Sequence, residues 1–110
     1  MNCYESLFVL KPTLTEEETN EQIAKIESVI TNNGGEIVAK SVMGSRNLAY
    51  EVEGARRGFY TVLYMKAPSA LVHELERNYR INEDVIKFLT VKFSSKKELV
   101  EFDKMVSKVK

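Results

Sequence analysis

Apolar residues along this chain recur first at every second position and then at every third or fourth. The order in which these two spacings alternate restricts the fold more than any other feature. Cys3 to Lys11 is apolar and aromatic and stops at Pro12, which has no N–H to give a strand ladder. Thr15 with Glu18 three residues on forms a capping box. Glu16 and Glu17 add negative charge at the positive end of a helix whose apolar stripe is Ile23, Ile26 and Ile30. Asn32, Asn33, Gly34 and Gly35 end it.

Glu36 to Val42 alternates imperfectly, Gly44 interrupts, and Leu48, Tyr50 and Val52 resume the two-residue spacing, which predicts one long strand with a bulge near Gly44. Glu53 to Gly58 reads as an exposed, basic hairpin loop leading into a strand over Phe59 to Ala67. Pro68 closes that strand, Ser69 is the expected cap of a second helix with Val72, Leu75 and Tyr79 on one face, and Val85 to Phe93 is the last strand. The order strand, helix, strand, strand, helix, strand predicts an α+β ferredoxin-like two-layer sandwich: a four-stranded antiparallel sheet, two helices on one face, the other face open.

Two units follow from this reading: a domain over residues 1–93 and a tail over 94–110. The tail repeats the capping pattern at Ser95 and Glu98 and sets Leu99, Phe102, Met105 or Val106, and Val109 on one helical face. It reads as a short amphipathic helix that orders only against the domain or a partner, because a helix of this length is marginal alone in water.

The 110 residues can bury roughly two thirds of their unfolded surface without a disulfide or metal. One cysteine, Cys3, and one histidine, His73, form neither a disulfide nor a zinc ligand set, so no metal and no cofactor are expected, and the setting is expected to be reducing and cytoplasmic. Residues 1–30 hold no apolar run longer than Leu7 to Leu10, so neither a signal peptide nor a membrane span is expected. His73 has no neighbour with which to make a nucleophile pair, and the helix dipole accounts for Glu16, Glu17 and Glu18. No catalytic residues are expected. The turn Lys11-Pro-Thr-Leu-Thr15 has no glycine and lacks one N–H. An acyl-phosphate hydrolase or small-ligand module, which would wrap an anion in backbone N–H groups there, is therefore the weaker alternative.

Sixteen basic residues balance sixteen acidic ones, a poor basis for holding a phosphate backbone unaided. The charges are segregated: Thr15 to Ile30 carries five glutamates and one lysine, Arg80 to Lys97 five cations against Glu83 and Asp84. Arg46, Arg56, Arg57, Arg80, Lys87 and Lys92 are candidate phosphate contacts. The stretch from Arg57 to Tyr64 partly matches an RNA-recognition motif, with Leu7-Phe8-Val9 a loose second half. Its register fails: Phe59, Thr61, Leu63 and Met65 form the more apolar row and belong under the helices, which puts Tyr60 and Tyr64 on the open face as a recognition surface.

Three blocks carry a resemblance to a known family. They are Cys3-Tyr4-Glu5; Gly44-Ser-Arg46-Asn-Leu48-Ala49-Tyr50 followed by Gly58-Phe-Tyr60; and Arg80-Ile-Asn-Glu-Asp-Val85-Ile-Lys87. In this order and spacing, over about residues 2 to 93, the chain resembles the bacterial small-subunit ribosomal protein S-six family. The resemblance implies the ferredoxin-like fold, no catalysis, no small-molecule substrate, and a place in the cytoplasmic ribosome. It also implies binding to the central domain of small-subunit ribosomal RNA as a heterodimer with ribosomal protein S-eighteen. Carried over by position, Tyr4, Arg46, Tyr50, Arg80, Lys87 and Lys92 are the implied RNA or partner contacts, joined by Tyr60 and Tyr64 from the sheet-face reading. The chain departs from the family pattern at Asn2 and Asn47, where the family carries basic residues, and at Glu51, where it carries proline. Leu99, Phe102 and Val106 of the tail are expected either to engage the partner or to fold back on the domain.

Overall fold

The computed structural model describes residues 1–52 and 54–109. Glu53 of the expected hairpin loop and Lys110 at the end of the tail lie outside the described residues. The elements run β1 (Asn2–Leu10), α1 (Glu16–Asn32), β2 (Glu36–Val52), β3 (Ala55–Ala67), α2 (Ser69–Ile81), β4 (Val85–Phe93) and α3 (Lys96–Val109). The sheet has the order β2-β3-β1-β4, antiparallel throughout, so the two strands that follow helices occupy the edges.

Both reciprocal hydrogen bonds of the α1 capping box form: Glu18 N–H donates to Thr15 Oγ1 at 3.1 Å, and Thr15 N–H to Glu18 Oε1 at 2.9 Å. The bond from Thr15 N–H, with the Thr15 hydroxyl adding to it, holds the Glu18 carboxyl below its ordinary range. Ile23, Ile26 and Ile30 are buried as their spacing requires. They meet Phe8, Leu10, Leu63 and Met65 from the sheet and Leu71, Leu75 and Tyr79 from α2. Each such side chain contributes about 1.5–3 kcal/mol by leaving water. The Tyr79 ring stacks between Phe8 and Phe88, at 5.5 and 5.1 Å, and its hydroxyl bonds to the buried Ser6 Oγ at 2.7 Å. Leu63 and Met65 thus lie under the helices, as the failed motif register required.

The bulge expected near Gly44 is present: the β2–β3 register shifts between Val42 and Gly44, and Gly44 takes a φ of 81°, where a side chain is strained. Gly58 serves a different end. A Cβ there would collide with the Val9 side chain, so glycine lets the hairpin close down on β1.

Three expectations fail. Ala55 to Gly58, expected in the hairpin loop, are the first residues of β3, because Arg57 and Gly58 pair with Asn47 and Arg46 of β2. Pro68, not Ser69, is the N-cap of α2, and Ser69 is the first helical residue; the extended φ and ψ suit proline, and the Pro68 carbonyl accepts from Leu71 N–H at 3.1 Å. Val72 packs partly buried against the same core as Leu75 and Tyr79, as its spacing requires, and Leu71 joins them as a buried residue. The second sheet face is not open along its length. α3 folds back over one end of it, with Phe102 buried among Ala39, Val62, Tyr64 and Phe93, and Met105, Val106 and Val109 packed around them. The Ser95 and Glu98 capping box forms, while Leu99 stays at the exposed margin.

Candidate nucleic-acid interface

Antiparallel pairing brings the start of β3, the end of β1 and the start of β4 to the same end of the sheet. Leu10 lies opposite Phe59 on one side and Val85 on the other. The last turn of α2 ends there too, and Lys11 N–H donates to the Asp84 carbonyl at 2.9 Å, tying the turn after β1 to the approach of β4. Cations far apart in sequence therefore converge. Arg46 is exposed on β2 opposite Gly58. Lys87, half-buried on β4, holds its Nζ 5.3 Å from the centroid of the Tyr50 ring, whose residue is 65% exposed. That distance is a cation–π contact and fixes one ring face while leaving the other free. Arg80, at the end of α2, lines with Lys11, Asn82, Glu83 and Val85 a shallow cleft of about 370 Å³, in which the Glu83 carboxylate stands beside the two cations.

Arg56 and Arg57 face the same end from the hairpin. Arg57 Nη1 donates to Asn47 Oδ1 at 2.8 Å, and Nε and Nη2 donate to Ser45 Oγ at 3.3 and 3.1 Å. These partners are neutral, so they orient the guanidinium without cancelling its charge. Asn47 thus shares with Ser45 the orienting of Arg57. Arg56 Nε lies 3.8 Å from Glu51, a loose pair between exposed groups. Lys11 was the cation that sequence reasoning missed. It was legible only as the last residue before Pro12, and its role depends on strand order.

Three of the predicted contacts lie elsewhere. Tyr4 is 4% exposed and belongs to the helix-side core, because even-numbered β1 residues point under α1 and α2; its ring offers no surface. Tyr64 is on the face expected of it but lies beneath α3, edge-on to Phe102 at 6.1 Å between ring centroids. Burial, with the Glu5 carboxylate adding to it, pushes its phenol up. Lys92 is exposed opposite Tyr4, toward the other end of β4 from Lys87. Tyr60 is half-buried on the second face, between Val9 and Gly44.

Beyond the reach of α3 that face stays partly bare. Leu89 is 56% and Val91 40% exposed, paired across β1 with Leu7 and Glu5. Desolvation among these apolar neighbours raises the Glu5 carboxyl above its ordinary value. Among the described residues no group of acidic, histidine or cysteine side chains is placed to hold a metal ion, and no helix is long and apolar enough to cross a membrane.

A family model described as ribosomal protein S6 matches residues 3–92. The small ribosomal subunit protein bS6 of a Sulfurovum species is 56% identical over 107 residues, which is 97% of this chain and 84% of that protein. The corresponding protein of a Nitratiruptor species is 54% identical over the whole of this chain and 86% of its own length. The crystal structure of 30S ribosomal protein S6 from Thermotoga maritima superposes with a TM-score of 0.83 at 28% identity, covering 96% of this chain and 97% of that one.

Proposed function

The chain belongs to the ribosomal protein S6 family, non-enzymatic structural components of the small ribosomal subunit, and from that premise we propose that it binds small-subunit ribosomal RNA as half of a two-protein surface. The observation that carries this reading is that the molecule has both a cluster of cations at one end of the sheet and, on the face that α3 only partly covers, an exposed apolar stretch. The first supplies phosphate contacts through Arg46, Arg80 and Lys87, with Tyr50 beside them. The second, Leu89 and Val91 around Glu5, suits a protein partner that brings apolar side chains and a cation to meet the carboxylate. Ribosomal protein S-eighteen is the partner that the sequence resemblance implies, and the central domain of the RNA is the implied target.

Zero net charge fits this division of labour. Phosphate affinity grows with the number of phosphates neutralised, and a neutral chain with an acidic α1 neutralises few by itself. A basic partner supplies the remainder, while this chain sets position and register. The experiment is filter retention of a central-domain RNA fragment across a salt series, with and without S-eighteen. Negligible retention of the chain alone at physiological salt and firm retention with the partner are expected. Equal retention in both arms would overturn the shared surface.

A further inference from the structure

Between the hairpin and the turn after β1 lies a cleft of about 480 Å³ whose lining includes Lys11, Pro12, Ala55, Arg56, Arg57 and Ile86. Its volume falls within the range of about 300–1,000 Å³ typical of clefts that seat small molecules. Its chemistry is two-part. Pro12, Ala55 and Ile86 form apolar wall, and Lys11, Arg56 and Arg57 supply positive charge from two separate segments of chain. Arg57 is preset: three hydrogen bonds to Ser45 and Asn47 hold its guanidinium, and among the described residues no carboxylate lies within ion-pair distance of it. A guanidinium held by neutral groups costs little to order when an anion arrives, and its planar fork suits two phosphate oxygens.

We propose that this cleft seats one unpaired nucleotide of the ribosomal RNA, with the base on the apolar wall and the adjoining phosphodiester on Arg57 and Lys11. This rests on the RNA-binding reading above and adds a site and a nucleotide class to it. A paired nucleotide fits less well. In an A-form helix the base is stacked and its apolar faces are covered, so only phosphate would meet the protein and the wall of Pro12 and Ile86 would go unused. An unpaired nucleotide offers both parts at once. The acidic first turn of α1, Glu16 to Glu18, turns phosphates away from the neighbouring surface and so directs the strand toward the hairpin.

Two measurements on the chain with its protein partner test this. Arg57→Gln should weaken binding of the central-domain fragment about 5- to 20-fold at physiological salt and flatten the log-log salt slope by about one unit. A photoreactive side chain installed at Ala55 should crosslink, in assembled small subunits, to a nucleotide unpaired in the RNA secondary structure. If the unmodified pair binds RNA but Arg57→Gln leaves affinity and slope unchanged, or the crosslink maps to paired nucleotides or to no RNA, the cleft assignment fails and the wider RNA reading stands. If the unmodified pair does not bind at all, both fail together.

Discussion

Thr61 is a polar side chain in a place built for apolar ones. It is fully buried on β3, opposite Phe8 and Val42, and its hydroxyl has no hydrogen-bond partner among the described residues. Removing an unsatisfied hydroxyl while keeping the branched shape recovers its desolvation cost, so Thr61→Val should raise stability by about 1 kcal/mol, or Tm by about 4 °C. A fall in Tm on calorimetry would mean that the hydroxyl is satisfied in solution. Glu5 makes the opposite use of a position. Its pKa is raised by burial, so ionisation costs folding energy that is absent below the ordinary value of 4.5 and is fully developed once pH rises through the folded value. Glu5→Gln should therefore raise Tm at pH 7, with the gain fading as pH is lowered toward 3. A gain of equal size at both pH values would assign the effect to packing. Both residues stand in strand segments that were legible, and alternation gave the face of Thr61, whereas the reading of Tyr4 as a surface contact would have turned Glu5 toward the helices. Their energetic peculiarities were not legible, because they depend on which neighbours the sheet order supplies.

Among the elements, α3 shows where sequence reading stops. Its apolar positions are visible as spacing, and the Ser95 and Glu98 cap is visible as a motif; both are present. Its resting place is not visible, since that depends on knowing that α1 and α2 leave the Tyr64 side of the sheet free. The same limit explains Ser69: a serine after proline reads as a cap until the backbone shows the helix already begun. Phe102 is the one deeply buried residue of α3, tilted against Phe93 at 5.3 Å and edge-on to Tyr64. Phe102→Ala in a core costs about 3–5 kcal/mol, and here it removes the centre of the contact by which α3 docks on the sheet. Global stability should therefore fall by less than this, because the helix can detach instead. The signature is amide exchange: fast over residues 96–109, with protection retained in α1 and in β1. Loss of protection spread evenly over the chain would show that α3 belongs to the same cooperative unit as the sheet.

On the scale of the whole molecule, the cationic end is a product of topology. Lys11, Arg46, Arg57, Arg80 and Lys87 are scattered over most of the sequence, and only the β2-β3-β1-β4 order gathers them. Residue type and family resemblance identified most of these cations singly, but neither could separate them from Lys92, which the same strand carries to its other end. Opposite charge is gathered as well, with Glu16, Glu17 and Glu18 in the first turn of α1. That acidic turn follows Lys11 at the same end of the sheet, so phosphate contact should be confined to the part of that end where the cations lie. In filter retention with the protein partner, changing Arg80 and Lys87 together to Ala should flatten the log-log salt slope by about one to two units, since each cation that meets a phosphate releases about one counterion. Lys92→Ala should leave the slope where it was. If Lys92→Ala flattens the slope as much as the double change, the RNA path runs along the edge of β4 and not across the end of the sheet.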